Sequence, residues 1–527
     1  MRKSLISILC STFLCCLFLF AACKDDKSYR EGVYEYVPDY KSVTCNVMQG
    51  ENIELHVENG VTSSKDKITE IYGVFDGIYD KLDKAFGLKT QIKCYVIADE
   101  YILGESKAVY QNNVLLCNES VIRSNDFKRG VTAAYIQSTE LWKQYGAYAH
   151  VFGCEYDNNL LKQYYSNGND LELTLFQAYF IDNFYDNDNS DTVIRTACSL
   201  GDFLIENYGY EKFISANLTD YRTEYLKYLG VDRKFSVDFD LSWLDGAEYS
   251  RKFLSYPLII KTADRTYNLD AFSSARDTAS FDTPERVLYH LSEGNAELEK
   301  IMNFIKGNAP ESYEFANKRY DGNLEYYISD GEIKTCCDVG TGKIYLLDPS
   351  EFIHETIHAI TLQNNPTVEA WIGEGVAEYL SRYVSKHISD INNRFYLSFT
   401  DKTLTGSIAD FVSEVNSLYE EKGGKFDNLS KFDFALIEEC IGITTLKDES
   451  FKSRIQFPYA TNPIYKTYAC LNKDGNALTY PEAYALTKYL IDKYGFSSVI
   501  KSCINYDIKR DFRNSYDILL SDFIKSI

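Results

Sequence analysis

Positive charge is the first thing this chain lacks: 55 Lys and Arg stand against 77 Asp and Glu, for a net charge of −22. Nucleic acid demands a basic face, so nucleic acid is excluded as a partner. After the N-terminal 22 residues no apolar run reaches the length of about 18 residues that a membrane span needs. The body is therefore expected to lie outside the bilayer. No CxxC pair occurs, so neither a zinc ribbon nor a regular disulfide framework is legible. Ten cysteines follow Cys23, but their pairing cannot be read from sequence. Histidine is scarce: six occur in 527 residues, and two of them stand four positions apart.

Those two belong to His354-Glu355-Thr356-Ile357-His358. On a helix, positions i and i+4 share a face, so both imidazoles can reach one metal with Glu355 beside it. Further on comes Trp371-Ile372-Gly373-Glu374-Gly375-Val376-Ala377-Glu378-Tyr379. Asn364-Asn365-Pro366 breaks the first helix, and Trp371, Val376, Tyr379 and Leu380 form the apolar stripe of a second. A hydrolytic zinc site needs three protein ligands and one open position.

Together these segments resemble the gluzincins, zinc peptidases in which a His-Glu-x-x-His helix is followed by a glutamate-bearing helix of pattern W-x-x-E-G-x-A-x-Y. Trp371, Glu374, Gly375, Ala377 and Tyr379 match that pattern, whereas Gly373 replaces the Asn often found before the glutamate. The resemblance implies one zinc ion per chain, held by His354, His358 and Glu374. Glu355 would be the base that activates the zinc-bound water. The longer spacing of thermolysin-like relatives would make Glu378 the ligand instead. With Glu374 as ligand, Glu378 takes the place of the acid that orients a zinc histidine. The oxyanion donor in this family is a Tyr or His later in the chain. Tyr480 and Tyr484 are the candidates, with Tyr484 preferred.

Arg2-Lys3, an apolar run from Leu5 to Ala22 and the small pair Ala21-Ala22 describe a secretory signal over residues 1–22. Cys23 follows at once and resembles the lipid-modified residue of a bacterial lipobox. Lys24-Asp25-Asp26 resembles the export signal of Bacteroidetes surface lipoproteins. An uncleaved N-terminal anchor is the other reading, and both place the body outside the cytoplasm. Cleavage would remove Arg2 and Lys3 and move the net charge from −22 to −24. The expected location is the outer membrane, exposed at the cell surface and tethered through Cys23.

The chain reads as one architecture used twice. The helical stretches ending at Gly209 and Gly495 match, as do Trp142-Lys143-Gln144-Tyr145-Gly146 and Trp371-Ile372-Gly373-Glu374-Gly375. Residues 93–99 and 113–117 read as strands parallel to 324–330 and 343–347. Tyr145 stands where Glu374 does, and residues 128–134 offer no ligand. The expected fold is α+β: two tandem gluzincin-like domains, each mostly helical with a small sheet. Residues 23–59 are a tether with strands, 60–245 a degenerate domain, 246–283 a linker and 284–527 the catalytic domain. An insertion at roughly 395–470 separates the zinc helices from the helix after it.

The sequence thus predicts a zinc endopeptidase acting on extracellular protein or peptide at the bacterial surface. The exopeptidase motif G-x-M-E-N is absent, because Met1, Met48 and Met302 stand in other contexts. The alternative is a non-catalytic binding or adhesion lipoprotein built on peptidase-like folds.

Overall fold

The computed structural model describes residues 27–38, 40–99, 108–169, 171, 174–175, 190–217, 220–231, 241–252, 256–269, 284–322, 324–328, 335–346, 351–362, 370–386, 405–426, 432–447, 479–505 and 512–527. The signal segment, Cys23 and the Asn364–Pro366 break lie outside them. The chain divides into two units, one taking in residues up to Phe235 with Glu248–Leu258, the other Ser236–Ala247 and Ile259–Ile527.

The first unit opens with β1 (Ser28–Tyr36), β2 (Ser42–Gln49) and β3 (Ile53–Glu58), then α1 (Lys65–Phe86). Next come β4 (Ile92–Ile97), β5 (Ala108–Gln111) and β6 (Val114–Asn118). Its helices continue with α2 (Asn125–Ile136), α3 (Leu141–Phe152), α4 (Asn158–Ser166), α5 (Ser190–Tyr208), α6 (Tyr210–Ser215) and α7 (Arg222–Tyr228). Helix α1 shows why these segments form where they do. The Ser64 side chain accepts from the Lys67 N–H, and Ile68, Ile71, Tyr72, Phe75, Ile78, Tyr79 and Leu82 bury one stripe. The helix stops at Gly87, whose left-handed φ of 70° lets its N–H return to Asp83.

In the second half stand β7 (Glu248–Lys252), β8 (Tyr256–Lys261) and β9 (Arg265–Leu269). Helices α8 (Pro284–Asn308) and α9 (Pro310–Tyr320) lead to β10 (Leu324–Ile328), β11 (Cys336–Asp338) and β12 (Lys343–Leu346). Then follow α10 (Phe352–Thr361), α11 (Ala370–Glu378), α12 (Ser407–Glu421), α13 (Phe434–Lys447), α14 (Tyr480–Tyr494), α15 (Phe496–Asn505) and α16 (Tyr516–Ser526). Helix α11 runs on into a π-helical turn over Tyr379–Val384.

Two six-stranded sheets result, ordered β1-β2-β3-β4-β6-β5 and β7-β8-β9-β10-β12-β11. The order is the same strand for strand. In both, the third, fourth and last strands of the half run parallel and the fifth lies antiparallel at the edge. The strands β1–β3 fall in the stretch read as a tether with strands, and β7–β9 in the stretch read as a linker with a β-like run at Tyr256–Ile260. Both stretches are parts of sheets.

The strand match made from sequence is out by one residue. Tyr326 lies tilted against Phe352 of α10, with ring centroids 4.7 Å apart, so it faces the helices. Tyr95, its sequence partner, lies on the opposite face with Val43, Val47 and Leu116. The residue facing the helices there is Cys94, packed with Phe75 and Phe127. A slip of one position exchanges the faces of a strand. None of the nine cysteines among the described residues is in a disulfide.

Candidate metal centre

Helix α10 is the innermost helix of the second unit, and all ten of its residues are buried. It packs against α8, α9, α11, β11 and β12. The Tyr326 hydroxyl lies 3.0 Å from Thr356 Oγ1, and Arg319 donates to the Ala359 carbonyl at 2.9 Å. A helix fixed at its middle and its end holds its remaining face in one orientation. That face carries His354 and His358.

Helix α11 brings Glu374 against it. Here Gly375 is required: a Cβ at this position would lie 2.0 Å from Thr487 Oγ1 and 2.5 Å from the Ala483 carbonyl. The backbone of α11 therefore approaches α14 closely, with Trp371 fully buried beside it. Glu374 Oε2 then lies 3.1 Å from His354 Nε2 and 3.0 Å from His358 Nε2, and the two nitrogens are 3.1 Å apart. Three donor atoms form a nearly equilateral triangle. Three ligands of a tetrahedral zinc lie about 3.4 Å from one another, given metal–ligand bonds of about 2.1 Å. Lone pairs converging this closely repel unless a positive charge joins them. The donor set fits a divalent cation, and among the described residues this is the one group of three so arranged.

The electrostatics agree with that reading. Burial alone would push the Glu374 carboxyl up, but the charge of His358 and hydrogen bonds to both imidazoles hold it well below the carboxylate range. Burial alone would push the His354 imidazole down, yet hydrogen bonds to Glu374 and Glu378 and their charges hold it well above its usual value. Glu355 is displaced upward, chiefly by burial, against the lowering fields of His358 and His354. Burial, followed by the Glu355 charge, also raises the thiols of Cys336 and Cys337 on β11, a strand that packs against this helix.

Glu378 is not at the triangle. Its Oε1 lies 3.0 Å from His354 Nδ1, on the far side of the ring. Behind it stands a residue pair that sequence reasoning missed. Arg382 Nε lies 3.0 Å from Glu378 Oε2 and 3.1 Å from Glu438 Oε2, all three residues being buried. Glu438 belongs to α13, inside the segment read as an insertion. Only the four-residue spacing of Glu378 and Arg382 was visible beforehand.

Tyr484, preferred from sequence as the oxyanion donor, packs into the core. It is fully buried, its ring stacked on Tyr379 at 6.4 Å, and its hydroxyl meets no hydrogen-bond partner among the described residues. Tyr480, one turn earlier, places its ring 6.1 Å from that of His354. A capping box fixes it there, with the Thr479 N–H donating to Glu482 Oε2 at 2.7 Å. Comparison of the chain with protein-family models, with curated proteins and with solved structures finds no match.

Proposed function

We propose that the second unit is a zinc-dependent endopeptidase of the gluzincin kind, on a lipoprotein anchored through Cys23 to the outer membrane and facing the exterior. The observation carrying this is the triangle of His354 Nε2, His358 Nε2 and Glu374 Oε2. Bound there, zinc would supply Lewis acidity toward a peptide carbonyl and ease the deprotonation of a water. Two neutral imidazoles and one carboxylate leave that acidity largely intact.

The remaining chemistry belongs to the chain. Glu355 takes the proton of the attacking water and returns it to the leaving amine. Its upward displacement by burial suits it to that exchange. Glu378 orients His354 through Nδ1 and fixes which nitrogen faces the metal. Tyr480, beside His354, is the residue placed to donate to the developing oxyanion. The reading as a binding module is kept for the first unit, where no counterpart triad exists among the described residues.

The test uses the chain from residue 24 with an unstructured protein substrate. Internal cleavage is expected, abolished by a chelator and restored by zinc. An intact substrate, or trimming from the ends alone, would contradict the proposal.

A further inference from the structure

The first unit holds a pair of thiols that the metal chemistry does not use. Its helices α3 and α5 approach closely: a Cβ on Gly146 would stand 2.8 Å from the Gly201 Cα and 3.2 Å from the Ala197 carbonyl. Cys198 of α5 is fully buried, and its thiol donates to the Tyr145 carbonyl of α3 at 3.8 Å. Gly153 ends α3 with a φ of 83°, which turns the chain into Cys154. The residues around that turn are tied to α5 at three points. His150 Nδ1 lies 3.1 Å from Asp202 Oδ1, and Tyr156 donates to Asp202 Oδ2 at 2.9 Å. Ser199 donates to Asn158 Oδ1 at 2.8 Å. Cys154 thus stands between two residues bound to Asp202, and Cys198 lies one helical turn before Asp202 on the same face. The Cys154 thiol accordingly meets that of Cys198.

The two thiols differ in access. Cys154 is partly exposed, while Cys198 is sealed in the core. The contact with Cys198 holds the Cys154 thiol below its ordinary value, against the opposing effect of burial. The same contact, with burial, holds the Cys198 thiol far above it. A thiolate is the attacking species in thiol–disulfide exchange, so the accessible sulfur is also the readier nucleophile. A second pair gives the contrast. Cys94 and Cys117 have their sulfurs 4.0 Å apart on neighbouring strands β4 and β6, both fully buried. Cys94 is level with Leu115 and Cys117 with Val96, so they sit two positions out of register. That offset puts their Cα atoms about 8 Å apart, beyond the limit of about 7 Å that a disulfide spans.

We propose that Cys154 and Cys198 form a disulfide that staples the end of α3 to the middle of α5. The oxidant is a disulfide met outside the cytoplasm, borne by a small thiol or an exchange protein. The Cys154 thiolate attacks one of its sulfurs, breaks its S–S bond and releases a first thiolate. Cys198 then gives up its proton, and its sulfur attacks Cys154 in the mixed disulfide and releases a second. The two released thiolates take up the protons that Cys154 and Cys198 lost. Two protein thiols are oxidised, and one external disulfide is reduced to two thiols. The inference rests on the proposed outer location for its oxidant alone, and not on zinc or hydrolysis.

The test treats the folded, fully reduced chain from residue 24 with glutathione disulfide, then maps its cysteines by proteolysis and mass spectrometry. A pair of peptides joined through Cys154 and Cys198 is expected, with Cys94 and Cys117 left as thiols. Cys198→Ala should instead hold one glutathione on Cys154. Cys154→Ser should gain neither a disulfide nor glutathione at Cys198, because the buried thiol meets no oxidant. His358→Ala should form the bond as the wild type does, which separates this inference from the metal centre. Should Cys198→Ala fail to fold, Cys154→Ser changes a partly exposed position and still reads the loss of the bond. Glutathione resting on Cys154 in the wild type with Cys198 free would overturn the proposal. So would a bond between other cysteines in its place, or two thiols that do not react.

Discussion

Glu355 and its neighbours on α10 separate two roles that one helix turn holds side by side. His354 and His358 point their Nε2 atoms at Glu374, while Glu355 is buried beside them and is not one of the three converging donors. Glu355→Ala should therefore keep its zinc, measured by elemental analysis, and lose about 10²–10⁴-fold in hydrolysis. Glu374→Ala should lose the metal outright. Glu378→Ala should retain it with affinity weakened about 10–100-fold in a chelator competition, because Glu378 touches only the outer nitrogen of His354. Should Glu378→Ala strip zinc while Glu374→Ala keeps it, the assignment of the ligand is inverted. The two histidines of the triangle were legible because histidine is rare here and the four-residue spacing has one helical meaning. Tyr480 and Tyr484 were not separable in that way. They sit one turn apart on the same helix, and only the packing of Tyr379 shows that the second is sealed in the core.

Among the elements, α11 and α13 matter most for the site. Gly375 lets α11 lie against α14, so Gly375→Ala should cost about 1–3 kcal/mol by overpacking, read by denaturant unfolding. Helix α13 holds Arg382 through Glu438, and Arg382 holds Glu378. Removing one member of a buried ion cluster leaves charge uncompensated. Glu438→Ala should thus cost about 3 kcal/mol or more, with Glu438→Gln losing less, and both should weaken zinc binding. Unchanged stability in Glu438→Ala would mean that α13 is not coupled to the site. Glycines and tryptophans marked the helix pairs in both halves, since a close approach admits little else. The strands were harder: their apolar residues line both faces, so alternation did not fix the register, and the match slipped by one. The Arg382–Glu438 pair spans 56 positions and left no mark in the sequence.

For the whole molecule, the two sheets share one strand order, and among the described residues only His354, His358 and Glu374 converge as a group of three possible ligands. Metal should bind only the second unit. A chelator should then lower the unfolding transition of that unit by about 5–15 °C and leave the other in place, as seen by calorimetry. Two units were legible from length and from matched segments. Their extents were not, because the strands read in 23–59 and at Tyr256–Ile260 gave no sign of which sheet they join until paired.

The most direct test of the central claim is the metal content of the purified chain from residue 24, wild type beside His358→Ala. The account predicts about one zinc per chain in the wild type and none in the variant, given a three-ligand set that loses one member. Absence of zinc from both, or its retention in His358→Ala, would contradict it.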